Sequence, residues 1–416
     1  MDKLLAGIRI VDLTFWQQGP YATAMLADLG ADVIHIEGPE SPDPGRNFGG
    51  RLAENGLNPY WHSHNRGKRA ICVDLKDARG REILHRICDT ADVLATNMRL
   101  KALEHLGVDP EVLRRRNPRL IFARASGNGL KGPHADHGSY DNLGQARGGI
   151  MMAQAGGDVR PRAGNPGIAD HTGAILFAFG IMSALYYREH TGVAQEIHSS
   201  LLGGQMCIQS FQITGTLFNG NKLPPPRGEA RGRPVSANNP TWNVYQGSDD
   251  KWFVLGILND SRWPEFVSAM NRPEWLEDER HRDLAARMAN AEEIVEELQG
   301  IFGQQPASYW VELLTKQDLV AGPVNDYADL LYDPQTLANE YIVTVPRGDG
   351  QPPVQMVGAP VTFTATPAKI ESLSPEFDQH TEEVLLDVGY SWEEMEQLRR
   401  GGVIGLRAAR SVAGGP

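Results

Sequence analysis

Short apolar runs alternate with helical-period stretches through the first part of the chain. Gly7–Leu13 (GIRIVDL) has the length and β-branched content of a buried strand. A turn follows at Phe15–Gly19. Tyr21–Leu29 then has the spacing of a helix, opened by Pro20 and stopped by Gly30. Ala31–Glu37 (ADVIHIE) reads as the next strand. Strand, helix, strand in that order is a βαβ unit, whose strands run parallel. The pattern repeats with strand Arg69–Asp74, helix Ala78–Thr90 and strand Val93–Thr96. A short helix at Leu100–Leu106, ended by Gly107, precedes strand Leu120–Ala125. The fold class predicted is α/β, with a Rossmann-like open parallel sheet and helices on both faces.

A longer apolar stretch, His171–His190, is entered through Gly164-Asn165-Pro166-Gly167-Ile168-Ala169-Asp170. The loop delivers Asp170 to the first turn of a helix, where unpaired backbone N–H groups favour negative charge. A carboxylate there is expected to stay ionised and oriented, as a nucleophile must. Asp is also a preferred N-cap, and the two roles are compatible.

The pattern breaks at 217–240, which carries Pro224–Pro226, Arg227, Arg231, Arg233 and several Gly. That segment reads as a linker between a large N-terminal domain (1–216) and a smaller α+β domain (241–332). The smaller domain is predicted to hold strand Trp252–Leu258 and helices near Ser261–Met270, Ala291–Phe302 and Pro306–Gln317. Residues 333–416 lead back to the large domain. Val354–Thr364 looks extended, Thr381–Arg400 reads as one amphipathic helix stopped by Gly401-Gly402, and Ala408–Pro416 as a frayed tail.

Composition narrows the function. The 416 residues are 41% hydrophobic and 22% charged, as in ordinary globular proteins. A formal charge of −12 argues against nucleic acid or a membrane surface as partner. Cys72, Cys88 and Cys207 fit neither a metal spacing nor a disulfide framework, which points to a reducing, cytoplasmic setting. His62 and His64 lack a third ligand, so no metal is expected. The first strand–helix turn, Thr14–Pro20, has no G-x-G-x-x-G, so NAD is not expected either.

Four blocks, in order, resemble the family III CoA-transferases of the CaiB/BaiF type, the group of formyl-CoA transferase, carnitine CoA-transferase and the α-methylacyl-CoA racemases. They are GIRIVDLTFWQQGPYATAMLADLGADVIHIE near the start, NRGKRAICVDLK at Asn65–Lys76, ADVLATNMRLKALEHLGVD at Ala91–Asp109, and GNPGIADHTGAILFAFGIMSALYYREHTGVAQEIHSSL. The resemblance implies transfer of CoA from an acyl-CoA thioester to a free carboxylic acid. It makes Asp170 the nucleophile, through an aspartyl mixed anhydride and an aspartyl-CoA thioester. It places Gln17 beside the reacting acyl group, with Gln18 adjoining. It also implies an intertwined homodimer.

CoA phosphates call for Arg and Lys. Candidates are Arg46, Arg66, Lys68, Arg69, Lys76, Arg99 and Lys101, with Arg99 and Lys101 favoured because they follow a strand end. Tyr140 and Asp141 are further candidates for the CoA-binding site; a turn tyrosine and a local cap are the alternative. The racemase branch has a proton-carrying His where this chain has Tyr140, a poor substitute at neutral pH, which favours transfer. His137 stands nearby, so racemase or epimerase activity remains the alternative. Formyl-CoA transferase carries a lid of four consecutive Gly; the corresponding stretch here, 228–240, has no such run, which argues against an oxalate-type acid. Trp16, Phe48, Tyr60 and Trp61 are candidate walls of an acyl pocket, with core packing the alternative.

Overall fold

The computed structural model describes residues 3–49, 52–155, 160–220 and 239–405. In chain order the first part comprises β1 (Arg9–Leu13), α1 (Gln18–Asp28), β2 (Asp32–Glu37), α2 (Pro59–Asn65), β3 (Arg69–Cys72), α3 (Ala78–Asp89) and β4 (Val93–Thr96). It continues with α4 (Leu100–Leu106), α5 (Pro110–Arg116), β5 (Ile121–Ser126), α6 (Asp141–Arg147), α7 (Ile150–Ala155) and α8 (Ile168–Thr191). β6 (Glu196–Ser200), α9 (Leu201–Ile208) and α10 (Ser210–Phe218) complete it.

Six strands form one sheet in the order β3-β2-β1-β4-β5-β6, all pairs parallel. Alternation along each strand splits the core in two. Val11, Leu13, Ile34, Ile36, Leu94 and Phe122 face α3. Ile10, Val33, Val93, Ala95, Ala123 and Ala125 face α1 and α8. The strand order reverses between β1 and β4, and ligands of such sheets bind at that point, beyond the carboxyl ends of the strands.

Among the described residues α8 is the one helix long and apolar enough to cross a membrane by length and composition. Much of that apolar surface is used internally: Ala174, Phe177, Ile181 and Leu185 are buried against the sheet core. Cys72, Cys88 and Cys207 are free thiols.

The chain divides into two compact units. One comprises Met1–Met151, Arg162–Phe218 and Leu337–Pro416; the other comprises Met152–Pro161 and Asn219–Thr336. The second is built on an antiparallel sheet of β7 (Trp242–Gln246), β8 (Trp252–Gly256) and β9 (Ala321–Pro323). Helices α11 (Trp263–Met270), α12 (Leu284–Ala289), α13 (Ala291–Phe302) and α14 (Ala307–Lys316) accompany it. Tyr245, Phe253, Phe266, Leu298 and Phe302 form its core. The anticipated strand at Trp252–Leu258 ends at Gly256, and β7 and β9 were not read from the sequence.

After α15 (Pro334–Ala338), β10 (Ile342–Val345) and β11 (Val354–Val357) make a small antiparallel pair. The predicted helix Thr381–Arg400 is two helices, α16 (Thr381–Asp387) and α17 (Trp392–Arg400). Gly389 takes a left-handed φ of 84°, and Ser391 opens α17 with a capping box to Glu394. Both pieces keep one apolar stripe, with Val384, Leu385, Met395 and Leu398 in the same core. Most of the predicted linker and the tail at Ala408–Pro416 lie outside the described residues.

Candidate active site

A cavity of about 360 Å³ opens at the carboxyl ends of β1, β4 and β5. Its walls include Phe15–Gln18 from the β1–α1 turn, Asn97–Leu100 after β4, and Arg124–Gly127 at the end of β5. Ala135–Tyr140, Asp170 and Leu201 complete it. The position is the crevice where the strand order reverses. Asn97 fixes the β1–α1 turn from both sides: its Oδ1 accepts from Phe15 N (3.0 Å) and its Nδ2 donates to Phe15 O (2.7 Å). The next residue, Trp16, adopts φ 71°, a conformation rare for a bulky side chain and costly to hold. Its N–H donates to Asp43 Oδ1 (3.2 Å), and its indole makes edge contacts with Phe48 and Tyr140.

Asp170 occupies the first turn of α8, as the loop chemistry predicts, but it is not the cap. The N-cap is Gly167, at φ 78° and with no capping side chain. The capping carboxylate comes from α6: Asp141 Oδ1 accepts from Ala169 N (2.7 Å) and Asp170 N (3.1 Å). One turn along α6, buried Gln145 donates to Asp141 Oδ2 (2.5 Å). Gln145 also clamps the preceding loop, donating to Gly164 O (2.9 Å) and accepting from Gly164 N (2.8 Å). Asp141 and Gln145 therefore set the start of α8, and with it the position of Asp170. An i, i+4 pair of polar residues on a short helix was the only sequence signal for this.

The Asp170 carboxyl makes no hydrogen bond or ion pair among the described residues. Burial, reinforced by the Asp141 carboxylate, pushes its pKa up to about 7. This corrects the expectation that a helix start keeps it fully ionised. The helix N–H groups that would favour the anion are already given to Asp141.

Gln17, in the β1–α1 turn, lines the same cavity. Its Nε2 is 2.7 Å from His171 Nδ1, one residue beyond Asp170. Gln18 lines the cavity too, and its buried Nε2 has no partner among the described residues. Arg99 and Tyr140 border the same space; Asp141 is not among its lining residues and its carboxylate is spent on the N–H groups of Ala169 and Asp170. His137 is in the wall with its Nδ1 3.1 Å from His134 Nδ1.

The other basic candidates are not in that wall. Arg46 grips buried Glu37 (2.5 Å) and stacks on Trp61. Arg69 is held by Asp32 (2.7 Å), Glu383 (2.9 Å) and Asp387 (3.0 Å). Arg66 pairs with Asp28 (2.6 Å) and Lys68 with Asp12 (2.8 Å), both inside the protein. Lys76 and Lys101 are exposed, 4.0 Å from Glu40 and 3.7 Å from Asp136 respectively. Sequence reading missed Arg124, whose signal was a charged residue inside the otherwise apolar strand IFARAS. His62 accepts from Ser374 N and His64 Nδ1 lies 2.6 Å from Tyr60 O. Burial holds the pKa of each down to about 4.

The family model for CoA-transferase family III matches residues 5–381. The chain is 35% identical to an acetyl-CoA:oxalate CoA-transferase of Acetobacter aceti, over 86% of this chain and 88% of that protein. It is 31% identical to a succinate–glutarate CoA-transferase of Agrobacterium fabrum, over 92% and 95%. Among solved structures, a CaiB/BaiF family protein from Brucella suis superposes with a TM-score of 0.81 at 30% identity, covering 93% of this chain and 100% of that one. The chain belongs to CoA-transferase family III, the acyl-CoA:carboxylate CoA-transferases.

Proposed function

We propose that Asp170 is the nucleophile of this transferase and carries the acyl and CoA groups in turn. The observation behind this is a carboxyl with no hydrogen bond or ion pair among the described residues, in the wall of the cavity at the carboxyl ends of the strands. Its oxygen attacks the thioester carbonyl; the C–S bond breaks, leaving a mixed anhydride and CoA thiolate. The thiolate attacks the aspartyl carbonyl, releasing the donor acid and leaving an aspartyl-CoA thioester. The acceptor carboxylate attacks that thioester and expels the thiolate again. Attack of the thiolate on the new acyl carbonyl gives the product and frees Asp170. Every exchange keeps an activated acyl group, so the sequence needs no ATP.

Gln17 is the proposed amide donor to the tetrahedral oxyanions. The contact with His171 fixes one side of the amide and leaves the other for the ligand. Arg99 and Tyr140 are the CoA-binding candidates that the cavity supports. Arg46 and Arg69 act instead as structural ion-pair residues in this reading, and Lys76 and Lys101 as surface charges. The enzyme works as an intertwined homodimer in the cytoplasm; exposed Phe179 and Tyr186 on α8, with Phe211 and Phe218 on α10, are apolar surface for a second copy.

Asp170→Asn tests the assignment. Asn keeps the shape and removes the nucleophile, so transfer should fall by roughly a thousandfold or more. A folding defect would show as lost stability, and the sign predicted is the reverse. The folded pKa of Asp170 lies above its unfolded value of 3.8, so ionisation weakens the native state as pH rises from about 4 to about 7. Above pH 7 the variant should match or exceed the parent's stability, by up to about 4 kcal/mol. Undiminished transfer by Asp170→Asn would remove covalent catalysis at this residue.

A further inference from the structure

Among the described residues, five Lys or Arg side chains are almost fully buried: Arg66, Lys68, Arg124, Arg188 and Arg287. Four are matched by a carboxylate, from Asp28, Asp12, Asp92 and Asp260 respectively. Arg124, 8% exposed, has no ion pair and no side-chain hydrogen bond among the described residues, and its Nε is without a partner there. Its acidic neighbours are taken: Asp136 lies beside Lys101, and Glu196 pairs with Arg114. Its cross-strand neighbours, Thr96 on β4 and His198 on β6, bring no negative charge. An unpaired buried cation is costly, and a chain that keeps one inside a cavity wall has an anion to bind there.

The sheet says which anion. Phe122 and Arg124 leave β5 on one face, and Ala123 and Ala125 on the other. Phe122 packs in the core under α3, whereas Ala123 and Ala125 pack in the core that includes Phe177 of α8. Arg124 thus enters the cavity from the face opposite the helix that carries Asp170. With the reacting carbonyl at Asp170, an anion held by Arg124 on the opposite face fits a part of the ligand away from the thioester. CoA carries its anions only as phosphates, separated from the sulfur by the pantetheine arm. At the same wall Gly138 leaves space for Arg99, since a Cβ there would lie 2.8 Å from the Arg99 Nη2.

We propose that Arg124, with Arg99 beside it, binds a phosphate of CoA and so anchors the donor while Asp170 reacts with it. This rests on the assignment of the cavity as the CoA site. The test uses Arg124→Met, which keeps an unbranched apolar stem and removes the charge. Titration calorimetry with CoA, dephospho-CoA and pantetheine compares the variant with the parent. Loss of a charge-assisted contact predicts CoA binding weaker by about 10- to 100-fold. A loss shared by dephospho-CoA assigns the diphosphate; a loss with CoA alone assigns the 3′-phosphate. Pantetheine, which has no phosphate, should bind both proteins equally. Without ligand the variant should melt no lower than the parent, because the charge it loses is unpaired. Unchanged CoA affinity, or an equal loss with pantetheine, would overturn the proposal. If the parent itself fails to bind CoA, the cavity assignment falls first and this proposal with it.

Discussion

Asp170 and Asp141 divide between them two tasks that the sequence seemed to give to one residue. Asp141 takes the backbone N–H groups at the start of α8, and its charge, added to burial, keeps the neighbouring carboxyl partly protonated at neutral pH. The protonated form cannot attack a thioester. The single-turnover rate of enzyme acylation should therefore rise with pH through about 7. Asp141→Asn keeps the Oδ1 acceptor for the helix and removes the charge. In that variant the rise should move to lower pH, at some cost in stability because the new Nδ2 faces the Gln145 Nε2 donor. A pH profile that does not move would show that Asp141 does not tune Asp170. The position of Asp170 was legible in Gly164–Asp170 because loop and helix signals are local. Its protonation was not, because it follows from burial by the folded chain, reinforced by a carboxylate 29 positions away in sequence. The basic candidates fail in the same way: Arg69 meets Asp387 across 318 positions, and no local pattern announces that pair.

At the scale of elements, what was legible follows from periodicity and punctuation. Val93–Thr96 and Leu100–Leu106 end where the sequence says, the latter at Gly107 with φ 67°. Thr381–Arg400 misled because its apolar stripe continues through the break at Gly389. β7 alternates exposed and buried positions as an edge strand does, but it begins beside the Pro/Arg/Gly stretch that masked it. The short helix α6, whose sequence signal was only an i, i+4 polar pair, is the one that places Asp170. It reaches α8 and α9 through Gly144, where an added Cβ would lie 2.9 Å from Leu201 Cβ and 3.0 Å from Ala169 Cβ. Neither neighbour is the end of a flexible chain. Gly144→Val should push α6 off α8 at a cost of about 1–3 kcal/mol. Turnover should drop at least tenfold, by rough estimate, as Asp141 and Gln145 lose their hold. Circular dichroism would check that the helices persist; full activity in that variant would show that α6 does not position Asp170.

At the scale of the molecule, the βαβ order predicted a parallel sheet with its ligand at the carboxyl ends of the strands, and the strand order that sets the crevice came from the structure. Its occupant was not predictable from the sheet and came from the motifs. Exposed Phe179, Tyr186, Phe211 and Phe218 call for a partner surface. Sedimentation velocity at micromolar concentration should show a dimer, and charged substitutions such as Phe211→Glu should lower its abundance and its activity together. A fully active monomer would contradict the dimer.

The claim on which the account turns is that Asp170 becomes covalently acylated during transfer. Incubation with a competent acyl-CoA donor and hydroxylamine, followed by peptide mass spectrometry, tests it most directly. The account predicts a hydroxamate at Asp170 that needs the donor and disappears in Asp170→Asn. Modification of a different residue, or none while turnover proceeds, would contradict it.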